Sequence, residues 1–110
     1  MNNMSFVEIE DATELIAEAL DMSELERECF FAMRNEEWTV KELVEETGRS
    51  RSMVQRALKE LHDKGAVVRE GRTDRTVYYV YQRAPLHEVR DSVEEILDGW
   101  YRDMKELLSG

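Results

Sequence analysis

Between Arg49 and Lys59 the chain reads RSRSMVQRALK, and seven of these side chains can do recognition chemistry on a base edge or a phosphate. An arginine fork donates two parallel bonds to guanine, and a glutamine carboxamide meets adenine in the same two-point way. Serine hydroxyls and a lysine ammonium suit phosphate oxygens, which position without specifying sequence. Arg51, Gln55 and Arg56 are therefore the expected base readers. Ser50, Ser52 and Lys59 are the expected phosphate contacts, with Arg49 in the turn before them. Further on, Arg72 and Arg75 in the run GRTDR can enter a minor groove, where narrow A·T stretches concentrate negative potential. Asp74 between them weakens a purely electrostatic tip; it is expected to bond its own backbone and hold the turn. The competing reading of each arginine is a surface ion pair, such as Arg56 with Glu60 four residues on.

These residues sit in a basic island. The 110-residue chain has 25 acids, 15 bases and a net charge of −10. Residues 1–48 hold 14 acids and 3 bases, residues 49–83 hold 9 bases and 4 acids, and residues 84–110 hold 7 acids and 3 bases. A basic centre on an anionic body is a local footprint for a polyanion. Eleven of the bases are arginine and four lysine. Acid surplus with few lysines suggests work in concentrated salt, where a Debye length of about 3 Å at 1 M makes self-repulsion tolerable. Inorganic cations bridging acidic side chains to phosphates are expected there.

Other chemistries find no support. The single cysteine, Cys29, excludes an internal disulfide framework and a cysteine-based metal cluster. It lies on an apolar stripe and reads as a small core residue; a redox-sensing thiol would need access and a depressed pKa. His62 and His87 have no partners at metal-ligand spacing. No nucleophile–base arrangement or phosphate-cradling loop appears, so neither an enzyme nor a cofactor is expected. No apolar run approaches the 18 residues or so of a membrane span. The acidic N-terminus is unlike a secretory signal, so a cytoplasmic protein is expected.

The elements that must position the basic island follow from caps and periodicity. Asp11-x-x-Glu14 is a capping box opening a short helix with Leu15, Ile16, Ala19 and Leu20. Phe6, Val7 and Ile9 before it could cover a partner surface. Ser23-x-x-Glu26 opens a second helix with Leu25, Cys29, Phe30 and Met33, stopping near Arg34-Asn35. Thr39-x-x-Glu42 opens a third, with Val40, Leu43 and Val44, ended at Thr47-Gly48 by a glycine at positive φ. Ser50 caps a fourth over about 51–64, whose inward face is Met53, Val54, Ala57, Leu58 and Leu61; Lys64-Gly65 closes it. The period then changes to two. Ala66–Glu70 is a strand, Gly71–Arg75 a polar turn, and Thr76–Gln82 a second strand in which Tyr78, Tyr79 and Tyr81 alternate, at least two of them structural, with one face core and the other open to a second copy or a nucleic-acid backbone. Pro85 begins one long helix, Leu86 to Leu108. Its stripe of Leu86, Val89, Val93, Ile96, Leu97, Trp100, Met104 and Leu107 is too long to be buried on so small a body. A second copy is its natural cover.

Helix, short helix, glycine turn, helix, hairpin is the order of a winged helix-turn-helix. The expected fold is mainly α with a small β-hairpin, one domain of residues 1–110. It comprises an N-terminal arm and helix (1–22), the winged core (23–83) and a dimerisation helix (84–110). Thr39–Leu61 resembles the helix-turn-helix of archaeal and bacterial regulators, and Lys64-Gly65-Ala66-Val67-Val68 with the basic hairpin resembles their wing. Within that superfamily the chain is similar to small archaeal TrmB-like and PadR-like regulators, which pair through terminal helices. Its acidic, arginine-biased surface is similar to that of haloarchaeal regulators. The resemblance implies a homodimeric, sequence-specific regulator of transcription on a pseudo-palindromic double-stranded DNA operator. The fourth helix would lie in the major groove and the wing at the minor groove. The alternative is a winged-helix protein-interaction module that reads no bases.

Overall fold

A computed structural model describes the backbone of residues 4–109 and the side chains of residues 12–109. The chain divides into two compact units, one of Met22–Pro85 and one joining Met1–Asp21 to Leu86–Gly110.

In the Met22–Pro85 unit the elements are α2 (Glu24–Met33), α3 (Val40–Thr47), α4 (Arg51–Asp63), β1 (Val67–Asp74) and β2 (Thr76–Arg83). Their boundaries are chemical. The Ser23 hydroxyl accepts the Glu26 N–H at 3.2 Å, and the Glu26 carboxylate accepts the Ser23 N–H. Thr39 and Glu42 make the same reciprocal box at 3.1 and 2.8 Å, satisfying two orphan donors of α3. Gly48, at φ 73°, donates to the Val44 carbonyl and turns the chain from α3 into α4. A β-carbon there would be strained by the backbone angle alone. Glu26 is buried, and the Lys64 ammonium reaches it at 2.6 Å, tying the start of α2 to the end of α4. A buried carboxylate needs such a partner.

Cys29, Phe30 and Met33 of α2, Leu43 of α3 and Val54, Ala57, Leu58 and Leu61 of α4 form one core, closed by Val67, Val80 and Tyr81 of the hairpin. Met53, expected among them, is 37 % exposed. At 100° per residue it stands about a quarter-turn from the centre of the buried stripe.

The strands pair antiparallel from Val67↔Arg83 to Asp74↔Thr76. The expected five-residue turn is thus too long, because Gly71 to Asp74 belong to β1 and only Arg75 stands at the tip, at φ 68°. Backbone pairing needs no apolar side chains, so a polar segment on the outer hairpin pairs as readily as the buried base. Trp38 makes an isolated bridge to Tyr81, with both backbone bonds at 2.8 Å. Arg83 turns inward: its guanidinium lies 4.4 Å from the Phe30 ring centre and donates twice to the Phe30 carbonyl. Burial lowers its pKa from the usual arginine value, and it is lost to the basic surface.

The other unit pairs α1 (Met4–Ala19) with α5 (Leu86–Ser109). The Asp11 box does not start α1, which begins at Met4. No glycine or proline interrupts residues 4–19, so nothing stops the helix from extending upstream of the acid. The side chains of Phe6, Val7 and Ile9 lie outside the described residues. On α5, Val89 and Val93 are already buried within the chain, which corrects their expected place at an interface between copies. Ile96 is half-buried, and the stripe is open at Leu86 and again from Leu97 onward. Among the described residues no helix is long and apolar enough to cross a membrane.

Candidate nucleic-acid interface

Ser50 stands at the N-cap of α4 and accepts the Met53 N–H at 3.3 Å. Its oxygen is thereby engaged, with Ser52 Oγ 3.4 Å away. Since Val54, Ala57, Leu58 and Leu61 fix the inward face, the helical period turns Ser52, Arg56 and Lys59 directly outward. Arg51 and Gln55 stand on the flank toward β2, and all five are exposed. The expected readers are therefore brought together on one surface. The Arg56–Glu60 pair does not form; neither Arg51, Arg56 nor Arg75 has an ion-pair partner among the described residues.

Other cations are engaged. Arg49 forms a two-point pair with Glu28, at 2.9 Å from Nε and 2.8 Å from the terminal nitrogen. The pair fixes the turn to α2, holds the Glu28 carboxyl below its usual range and raises the Arg49 pKa. Lys59 pairs with Asp63 at 3.0 Å, an exposed i,i+4 contact of little strength. Arg72 is not at the hairpin tip: it stands opposite Tyr78 and bonds Glu37 and Glu70, both at 2.8 Å. Those two carboxylates raise its pKa, and the pair with Glu37 anchors the hairpin to the α2–α3 connection. Arg75 alone is presented by the tip. Arg69 lies 4.6 Å from the Tyr79 ring centre.

Between α4 and β2 lies a cleft of about 470 Å³, lined by Thr39, Val40, Lys41, Arg51, Gln55, Val77, Tyr78, Tyr79 and Tyr81. Lys41 escaped the sequence reading as a binding residue, whereas the tyrosines, read mainly as structural, had one face open to the DNA backbone. Lys41 is counted there inside an acidic segment, and no local signal shows that α3 and β2 share a wall.

Cys29 is fully buried, and its thiol pKa is pushed up to about 11, first by burial and then by the Glu28 carboxylate, with Arg49 opposing. The thiol stays protonated and poorly nucleophilic at neutral pH. Because the folded state holds this proton more tightly than the unfolded state, stability falls as pH rises from about 9 to about 11. Urea titrations at alkaline pH should show that decline in the parent and a shallower one in Cys29→Ala; equal slopes would refute the assignment. His62 and His87 lie 4.0 Å from Asp63 and Glu88, their sequence neighbours. No group of three or more His, Cys, Asp or Glu able to hold a metal occurs among the described residues.

Known proteins resemble this arrangement. A possible transcriptional regulator from Methanosarcina mazei superposes with a TM-score of 0.76 at 19 % identity, over 87 % of this chain and 84 % of that one. The homodimeric winged helix-turn-helix DNA-binding domain of a possible ArsR-family regulator from Mycobacterium bovis superposes with a TM-score of 0.50 at 16 % identity. That match covers 100 % of this chain and 94 % of the other. The fold is a winged helix-turn-helix with a long C-terminal helix. In sequence, an uncharacterized protein of Methanocaldococcus jannaschii is 35 % identical over 99 % of this chain and 90 % of its own length. A second from the same archaeon is 31 % identical over 69 % of this chain and 59 % of its own length. Residues 16–86 match the family described as sugar-specific transcriptional regulator TrmB. By that match, which spans more than half of its length, the chain belongs to the TrmB family of transcriptional regulators.

Proposed function

We propose that the protein is a sequence-specific DNA-binding regulator of transcription that acts as a homodimer. The observation that carries this reading is the exposed α4 face, where Arg51 and Arg56 have no ion-pair partner among the described residues and stand beside Ser52, Gln55 and Lys59. Long side chains with idle donors at the start of a helix are what reading a major groove requires. Arg56 is the central base reader; Arg51 and Gln55 read toward the wing, and Arg75 reaches the minor groove. Arg49 and Arg72 act from their ion pairs, ordering the turn and the hairpin, and exchange to phosphates only at the cost of those pairs. The M. bovis domain is homodimeric and DNA-binding, which supports pairing here through the exposed stripe of α5. The acidic surface and arginine bias fit DNA binding at high ionic strength. Cations then bridge acids to phosphates, and long-range attraction is spent.

Selection of bound duplexes from a random pool, with the full chain, at low and at molar KCl, tests this. A pseudo-palindromic motif with half-sites about one helical turn apart is expected, with its enrichment persisting in molar KCl. Recovery of unrelated sequences at both salt concentrations would favour the protein-interaction module instead.

A further inference from the structure

The cleft between α4 and β2 supports one more assignment, which rests on the DNA-binding reading. Tyr81 lines it and is only 8 % exposed, its backbone N–H and carbonyl both bonded to Trp38. Its hydroxyl has no hydrogen-bond partner among the described residues, yet no buried side-chain nitrogen or oxygen there is left unsatisfied. The phenol oxygen is therefore not sealed from solvent, and the residue lines the cleft. A buried ring with its polar end left open is prepared for an incoming acceptor. Lys41 of α3 and Arg51 of α4 also line it, neither with an ion-pair partner among the described residues, and among those residues no carboxylate lines the cleft. That is a distinctive lining in a chain with 25 acids.

We propose that this cleft seats one backbone phosphate of the duplex, the Tyr81 hydroxyl donating to a non-bridging oxygen and Lys41 supplying charge. Its position between α4 and β2 is where a strand must pass from the groove read by Arg56 to the groove reached by Arg75. A phosphate held here fixes the register of both without carrying sequence information. Tyr81 is then a positioning residue as well as a core one.

The test uses the full-length Tyr81→Phe and Lys41→Met variants, with affinity measured on an operator duplex and on a random-sequence duplex across a KCl series. Tyr81→Phe keeps the ring and the bridge and removes only the donor; it should weaken both duplexes about tenfold. Lys41→Met should weaken both equally and lower the slope of log affinity against log salt by about 0.9 per protomer. The operator-to-random ratio should stay unchanged in each. A neutral methylphosphonate, walked along the operator backbone, should find one position per half-site where the parent loses affinity and Lys41→Met loses no more. Unchanged affinity and slope in both variants, with no sensitive position, would overturn the phosphate seat. Arg51→Ala/Arg56→Ala still losing selectivity in the same assay would leave the DNA-binding reading standing. Saturable binding of inorganic phosphate that is lost in Tyr81→Phe, without any change in duplex affinity, would also overturn it and assign the cleft to a free anion.

Discussion

Replacing Arg51 and Arg56 together by alanine should bring operator affinity down to that of random duplex, a loss of about three orders of magnitude or more. The contacts contribute additively. A bidentate arginine–guanine contact contributes about 1–3 kcal/mol of discrimination, and a symmetric pair of protomers would make four such contacts. That is comparable to the whole gap between specific and non-specific binding, roughly 4–10 kcal/mol. The fold should be untouched, because both side chains are exposed and neither has an ion pair to lose among the described residues. Arg49→Ala is the contrasting variant, since it opens the pair with Glu28 and should leave the operator-to-random ratio unchanged. Binding isotherms on both duplexes decide the matter. A double variant that keeps the parental ratio would remove base readout from α4.

Trp100→Glu should separate the protomers. Trp100, Tyr101, Met104, Leu107 and Leu108 are each at least half exposed on α5. An isolated chain can therefore accept the charge, whereas an apolar seam between two helices cannot. Sedimentation should give a monomer with unchanged helical circular dichroism. Operator affinity should fall by about 10²–10⁴, because each half-site is then bound without the effective concentration that linkage supplies. A variant that still sediments as a dimer would place the pairing surface elsewhere.

The legible parts of the fold were those encoded by neighbours in sequence. The boxes at Ser23 and Thr39, the left-handed Gly48 and the Ser50 cap all act within four residues, and each stands where the spacing put it. The misreadings share the opposite character. Asp11 has the capping pattern but lies inside α1, because a cap motif does not itself stop a helix from extending upstream. Arg72 lies in a polar run that suggested a turn, yet it belongs to β1 and is held by Glu37, thirty-five residues away. Arg83 counted toward the basic island but bonds the Phe30 carbonyl, fifty-three residues away. Which cations remain free is decided by tertiary partners, and charge counting along the chain cannot see them. The cleft was invisible for the same reason, since its walls come from α3, α4 and β2.

The bridge between Trp38 and Tyr81 has a practical consequence for optical work. The chain has two tryptophans. The indole N–H of Trp38 is held by the Met33 carbonyl at 2.8 Å and its backbone is bonded to Tyr81, while Trp100 stands open on α5. Two native fluorophores thus occupy the two units, one fixed and half-covered, the other wetted. Chains retaining only one of them give separate emission channels, so ligation of nucleic acid and self-association can be followed in one cuvette without an attached dye.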